Sequence, residues 1–578
     1  MYKKTVSGIM LILLLTGLFS LAINVKPTKS EWTGTVYIRA DGSIDPPNAP
    51  IITYDNVTYT LTDNITSSGD GIVVQRDNII IDGAGYTLQK TGAYPYPYKG
   101  IYLSGRTNVT VQNTQIKNFY YGIYLYSSNN NNIIGNNITN NIYGIWLDSS
   151  SNYNNICENN ITNNGDGVWL YYSSNNSIIG NNITNIEDGI LLDSSSNNSI
   201  YENNITNNIY GIELRWHSNY NSICGNNITA NNKNGVWLYD SSNNNDIIGN
   251  NVTANKLVGI WLDSSSNNSI CGNNITNNEY GVWLYYSSNY NSIVGNTFIK
   301  DGLVVWSSYH NVVGNNTVNG KPLVYLEGVA DHRVENAGQV ILINCTGIRI
   351  ENLNLSNTEI GVQLWETNNS IIFGNDITNN DVGIGLYYSS NYNSISENNI
   401  TNNLRGILLD SSSNNSIYEN NITNNEYGVL FGVSSNNSVF HNNFIDNAVQ
   451  VYSSASTNVW DNGYPSGGNY WSDYNGTDLY SGVYQNEPGS DGIGDTPYVI
   501  DENNVDNYPL IYPYGYTPTP DINQDGIVDI YDLILIASAY GSRPGSPGWN
   551  PYADLNQDGV IDIYDLIIIA SHYGQTNP

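Results

Sequence analysis

Along most of the chain, positions that stay apolar are separated by polar positions that vary, and the whole pattern returns every 22 to 24 residues. One copy places its apolar residues at Ile133, Ile138, Ile145 and Leu147, and the next at Ile156, Ile161, Val168 and Leu170. Alternation of this kind has the period of a strand, and it predicts three short strands per copy. β-Branched residues fill the strand positions, while Gly, Asn and Ser punctuate the turns. A glycine marks the period at Gly122, Gly144, Gly167, Gly189, Gly211, Gly235, Gly259 and Gly281, and Gly361, Gly383, Gly406 and Gly428 resume the series. Repeats of this length mean a solenoid. The predicted fold is therefore all-β over about 71–461: a right-handed parallel β-helix in which each copy is one rung.

One rung cannot stand alone. Four buried aliphatic side chains contribute roughly 6 to 12 kcal/mol, whereas ordering the 22 residues around them costs about 1 to 2 kcal/mol each. Rungs must therefore stack, and the ends need caps, which we place at 31–70 and 462–512. Asn136, Asn159, Asn181, Asn203, Asn226, Asn250 and Asn273 recur at one turn position. Amides there can hydrogen-bond along the column.

The pattern changes after a Pro-rich linker at 513–520. Asp521 to Asp532 reads D-I-N-Q-D-G-I-V-D-I-Y-D, and Asp554 to Asp565 reads D-L-N-Q-D-G-V-I-D-I-Y-D. Ca²⁺ takes six to eight oxygens, and this spacing offers side chains at loop positions 1, 3, 5, 9 and 12 with a backbone carbonyl at 7. Asp521, Asn523, Asp525, Asp529 and Asp532 fill the side-chain positions of the first loop, with Ile527 lending the carbonyl. Asp554, Asn556, Asp558, Asp562 and Asp565, with Val560, do so in the second. Apolar stretches from Leu533 to Tyr540 and from Leu566 to Tyr573 follow, closed by Gly541 and Gly574 as helix ends are.

This duplicated loop-and-helix unit resembles a type I dockerin, over Asp521 to about Gln575 within 521–578. The resemblance implies two bound Ca²⁺, with Asp529 and Asp562 acting through water, and a cohesin-like partner. It also implies that Ile530 and Tyr531, repeated as Ile563 and Tyr564, touch that partner. A small stabilising domain with no partner is the bland alternative.

Lys3 and Lys4 precede an apolar run from Ile9 to Ile23, which predicts an export signal over 1–26 and an extracellular or cell-surface chain. No later apolar run is long enough for a membrane span. A formal charge of -32 with 19 Lys and Arg argues against nucleic acid as partner. Charged residues are only 12% of the chain, so Asn, Ser, Thr and Tyr must cover the surface. Cys157, Cys224 and Cys271 share one repeat position. At about 4.8 Å per stacked strand they lie too far apart to be bridged, so they read as free thiols, with Cys345 elsewhere.

The repeats, together with V-V-Q-R-D-N-I-I-I-D-G-A-G-Y-T-L at Val73 to Leu88 and N-G-K-P-L-V-Y-L-E-G at Asn319 to Gly328, resemble NosD-like β-helix proteins of the carbohydrate-binding-and-sugar-hydrolase type. W-D-N-G-Y-P-S-G-G-N-Y-W-S-D-Y from Trp460 and D-G-I-G-D-T-P-Y from Asp491 extend the resemblance, which covers about Glu31 to Pro513. It implies the fold more sharply than the activity, because such β-helices include binders, lyases and hydrolases.

One outward column reads Tyr124, Trp146, Trp169, Leu191, Glu213, Trp237, Trp261 and Trp283. Trp169, Trp237, Trp261 and Trp283 could stack against sugar rings of a polysaccharide or cell-surface glycan, or could simply stabilise the strand ladder. At the break in the column, Glu213, Arg215 and His217 alternate on one face with Asp193 one rung below. Paired carboxyl groups are what glycosidases use, and a salt-bridged patch is the competing reading. His217, His310, His332, His441 and His572 form no ligand-spaced cluster for copper. Asp491 and Asp495 could take another Ca²⁺. Sequons such as Asn137-Ile138-Thr139 would permit N-glycosylation. The leading expectation is a secreted glycan-binding rod attached by its dockerin; the alternative is a polysaccharide lyase or glycoside hydrolase delivered the same way.

Overall fold

The computed structural model describes residues 32–92, 96–523 and 525–576, so the export signal expected at 1–26 lies outside the described residues. The chain is an all-β parallel solenoid followed by two short helices, and it divides into compact units at Asn182 and Ile183. In the first unit parallel pairing is under way at Trp32, which faces Ile65. Rungs then stack with Ile101 on Ile123, Ile123 on Ile145 and Ile145 on Val168. The predicted inward residues Ile133, Ile138, Ile145 and Leu147 are all fully buried.

The period-marking glycine has a steric cause. A Cβ on Gly144 would lie 2.6 Å from the Gly167 carbonyl oxygen and 2.9 Å from a methyl of Ile161. Rungs approach too closely there for any side chain. The left-handed turn positions go to asparagines such as Asn140 and Asn163 instead.

The second unit begins with rungs Asp188–Asp193, Tyr210–Arg215, Val236–Leu238, Val258–Asp263, Tyr280–Tyr285 and Leu303–Trp306 in parallel register. The repeat series read as running on to Asp461 is interrupted at this point. Val318 and Lys321 pair antiparallel across a turn made by Asn319 and Gly320, both at positive φ. A new stack then starts with Lys321–Glu327 and continues through Gln339–Ile343, Ile360–Trp365, Val382–Tyr387, Arg405–Asp410, Tyr427–Gly432 and Val449–Ser454.

The end of the first stack abuts the outward face of the second. Gln339 joins the Leu303 amide and carbonyl at 2.9 Å each, and Gln363 accepts from the Val305 amide at 3.2 Å and donates to its carbonyl at 2.5 Å. These primary amides replace the neighbouring strand that Leu303–Trp306 lacks, satisfying an edge that would otherwise be open. Outward residues Ile341, Gln363, Trp365 and Tyr387 are consequently buried.

Phe444, Trp471 and Tyr498 close the far end in successive stacks 4.3 Å apart. The linker is packed: Tyr514 lies on His441 at 4.1 Å, and Tyr516 donates its hydroxyl hydrogen to the Tyr552 carbonyl at 3.1 Å. Helices α1 (Ile530–Ala539) and α2 (Ile563–His572) follow. Each starts three residues before its predicted apolar stretch, because Asp529 with Asp532, and Asp562 with Asp565, form capping boxes. Val528, Ile536, Ala553, Ile561 and Ile569 make their small core. No helix among the described residues is long and apolar enough to cross a membrane. The four cysteines are free thiols.

Candidate functional site

The two acidic loops are built alike. Gly526, at φ +90°, donates its amide to Asp521 at 2.8 Å, and Gly559, at φ +78°, donates to Asp554 at 2.9 Å. Asp532 accepts from the Asn523 and Asp529 amides, and Asp565 from those of Leu555, Asn556 and Asp562. Asp529 and Asp562 cap their helices through the Tyr531 and Tyr564 amides. The loops clasp each other's helices: Val528 bonds Gly574 and Gln575, while Ile561 bonds Gly541 and Ser542.

Among the described residues no three His, Cys, Asp or Glu side chains are gathered as around an ion. In these loops the carboxylates are turned onto backbone N–H groups, yet the donor set fits a hard cation. Asp532, Asp554 and Asp565 are fully buried. Residues 521–578 carry eight aspartates against one arginine and no lysine. Buried carboxylates without cationic side chains call for an ion. Tyr512, just before the linker, also donates to Asp554 at 2.7 Å, tying the end of the solenoid cap to the second loop.

The presumed contact pairs are exposed to matching degrees: Ile530 at 51% and Tyr531 at 62%, against Ile563 at 51% and Tyr564 at 62%. Sequence reasoning missed Ile534 and Ile567, which extend each face one turn along the helix and are also exposed. Their spacing of four from Ile530 and Ile563 was the available signal.

In the solenoid the structure brings Asp193, Glu213 and Arg215 together. Arg215 Nε lies 3.1 Å from Asp193 and its Nη1 3.6 Å from Glu213. Glu213 also accepts from the Tyr239 hydroxyl at 2.6 Å. Glu213 stands in the outward column as expected, in register with Leu191 and Trp237, but it is only 4% exposed, because Tyr239 and Arg215 fold over it. Burial raises its carboxyl above the ordinary value, opposed by the Tyr239 hydrogen bond and the Arg215 charge. His217 sits in the exposed turn beyond, at φ 63°. The arrangement is a closed, internally satisfied network.

The tryptophan column stacks on itself. Within the first unit Trp146 and Trp169 are 4.4 Å apart and 11° from parallel. Within the second, Trp237 and Trp261 are 5.0 Å apart at 9°, and Trp261 and Trp283 5.4 Å apart at 13°. Tyr239 covers Trp237 in turn, at 4.3 Å. Ring faces are thus spent within the column, leaving mainly edges outward. Of Trp237, Trp261 and Trp283, Trp283 reaches a cleft.

Asp491 and Asp495 staple their own loop. Asp495 accepts from Thr477 and the Leu479 and Tyr480 amides, Asp491 from Gly482, Gln485 and Ile493. Asn137 accepts from the side chain of Asn160 at 2.9 Å on the outer surface of its rung.

Fold and loops together define a parallel β-solenoid protein with a paired-loop docking module. The chain belongs to the NosD family, whose model, described as periplasmic copper-binding protein (NosD), matches residues 63–251, 210–301 and 299–476. Residues 519–572 match the dockerin type I domain, and calcium binding follows from that domain. No curated protein matches the chain. Among solved structures, the periplasmic alginate epimerase AlgG is 17% identical over 46% of this chain and 80% of its own, with a TM-score of 0.37. The A-module of Azotobacter vinelandii mannuronan C-5 epimerase AlgE4 is 14% identical over 45% and 82%, with a TM-score of 0.32. The catalytic domain of a GH87 alpha-1,3-glucanase variant is 17% identical over 50% and 63%, also at 0.32. Likenesses of this size carry no argument about ligand or chemistry.

Proposed function

We propose that this chain is an exported, glycan-binding solenoid held by its dockerin to a cohesin-bearing partner outside the cell. In this reading 1–26 is the export signal, 71–461 the solenoid, 513–520 the linker and 521–578 the docking module. Each acidic loop holds one Ca²⁺ through the five side chains and one carbonyl named above. The carrying observation is the duplication: two loops of the same build present two apolar faces, Ile530 with Tyr531 and Ile563 with Tyr564, of equal exposure. Either face then docks on the same partner surface. The closed Asp193–Glu213–Arg215 network supports a binding role over catalysis, since a glycosidase needs carboxyl groups within reach of substrate and water.

The test is capture of the full chain by a panel of immobilised cohesin domains. Capture is expected in calcium and lost on chelation. Replacing Ile530 and Tyr531 by Ala should change affinity by no more than about twofold, because the second face remains. Replacing both pairs should abolish capture. Capture indifferent to chelator, or lost with one pair alone, would overturn the respective part of the reading.

A further inference from the structure

The corner where the first stack of the second unit meets the face of the second stack encloses a cleft of about 570 Å³. One wall belongs to the first stack. Its indole column ends here, since the position after Trp283 is Val304. Trp306, on the last strand, stands edge-on to Trp365 and near-perpendicular to Tyr388, at centroid distances of 5.1 and 6.1 Å. The opposite wall is the second stack, where Leu408 and Leu430 lie on adjacent rungs. Asp381 and Arg405 pair across it at 3.4 Å. Tyr286 and Tyr388 stand exposed at the mouth.

The chemistry of the walls selects the occupant. A peptide adding as a strand needs an open ladder edge, and the edge available here, Leu303–Trp306, is taken by Gln339 and Gln363. An anionic chain would face Asp381 and Asp410 with one cation, Arg405, that is already paired. A purely apolar ligand would leave that ion pair desolvated without partners. Aromatic rings interspersed with hydroxyl, carboxylate and guanidinium groups suit a ligand with apolar C–H faces and many neutral hydroxyls. A volume inside the usual range for ligand sites accommodates roughly two to three hexose units.

We propose that this corner cleft is a subsite for an uncharged polysaccharide, with the exposed rings of Tyr286 and Tyr388 and the ring of Trp306 packing on sugar faces and the Asp381–Arg405 pair bonding sugar hydroxyls. It rests on the glycan-binding part of the reading above and is independent of the docking part.

Affinity electrophoresis of the full chain tests it, with amylose, laminarin, xylan and galactomannan as neutral probes and polygalacturonate and alginate as anionic ones. At least one neutral probe should retard the chain and neither anionic probe should. The Tyr286→Ala, Tyr388→Ala double variant, which truncates only exposed rings, should bind that probe at least tenfold more weakly. Arg405→Gln should do likewise, while Tyr392→Ala, exposed outside the cleft, should bind as the parent does. Equal thermal midpoints would exclude a folding defect, and if one variant is unstable the other decides. Neutral-probe binding that both variants leave intact would overturn this cleft while keeping glycan binding. Retardation by an anionic probe in preference to the neutral ones would overturn this cleft while keeping glycan binding, and no retardation by any probe would overturn both. Cohesin capture stands apart from every one of these outcomes.

Discussion

At the scale of single residues, the solenoid is held by buried asparagine ladders that point one way, while the outer row, where Asn251 donates to Asn227 and Asn274 to Asn251, points the other. Asn226 donates its side chain to Asn250, Asn250 to Asn273 and Asn273 to Asn296, at 3.0, 3.0 and 2.9 Å. Each carbonyl also receives the backbone amide of the preceding Asn. A ladder with one polarity needs only an acceptor at its far end, and two ladders end on aspartate. Asn278 donates twice to Asp301, and Asn469 donates its amide to Asp506 at 2.8 Å. An interior ladder residue is therefore worth more than one hydrogen bond. Asn250→Ala orphans the Asn226 amide in a site only 1% exposed, and should cost about 3 kcal/mol. Asn251→Ala, in the half-exposed outer row, should cost less than about 1 kcal/mol. Urea unfolding of the two variants checks the contrast, and equal losses would contradict a structural role for the inner ladder.

At the scale of elements, the junction between the two stacks buries two carboxyl groups. Burial, and then the neighbouring Glu359 charge, raises Asp301 to about 9. Burial raises Glu359 to about 7 against its hydrogen bonds from Gly281 and Thr358. An acid whose folded value is raised binds more protons folded than unfolded. The junction is thus favoured in acid and loses stability as pH climbs from the unfolded carboxylate range through these values. Glu359→Gln keeps an acceptor for Gly281 without the charge. It should melt like the parent near pH 4 and increasingly above the parent as pH rises from about 5 through the raised values near 7 and 9. A gap independent of pH would rule out the titration. The rungs themselves were legible because a solenoid writes its period into local sequence, and the glycines mark steric contact between successive rungs. The junction was not. N-G-K-P announces a turn, but only the folded chain shows Gln339 and Gln363 reaching an edge 36 and 58 residues away. The burial of Glu213 was hidden for the same reason: alternation placed it in the outward column, where it stands, but Tyr239, 26 residues on, covers it.

At the scale of the whole molecule, the chain combines two kinds of stability that respond to different agents. The solenoid rests on aliphatic columns and amide ladders. The module at 521–578 has a handful of buried apolar side chains and eight aspartates against one arginine. In a chain of formal charge -32, no surplus of positive charge elsewhere offsets that concentration. With calcium bound, the loop carboxylates are neutralised and the clasp between each loop and the other helix is held shut. With calcium removed, like charges repel across a core too small to resist them. Scanning calorimetry should therefore show two transitions, and chelator should lower one of them by at least 10 °C while leaving the other in place. Asp532→Asn combined with Asp565→Asn should mimic chelation only partly, because each amide removes a charge but keeps an oxygen toward the ion. Fluorescence of Trp549, the tryptophan within 521–578, would report which transition moves. A single transition that chelator leaves unmoved would mean that the module draws its stability from Tyr512 and the packed linker at Tyr514 and Tyr516, and calcium would then serve docking without serving folding.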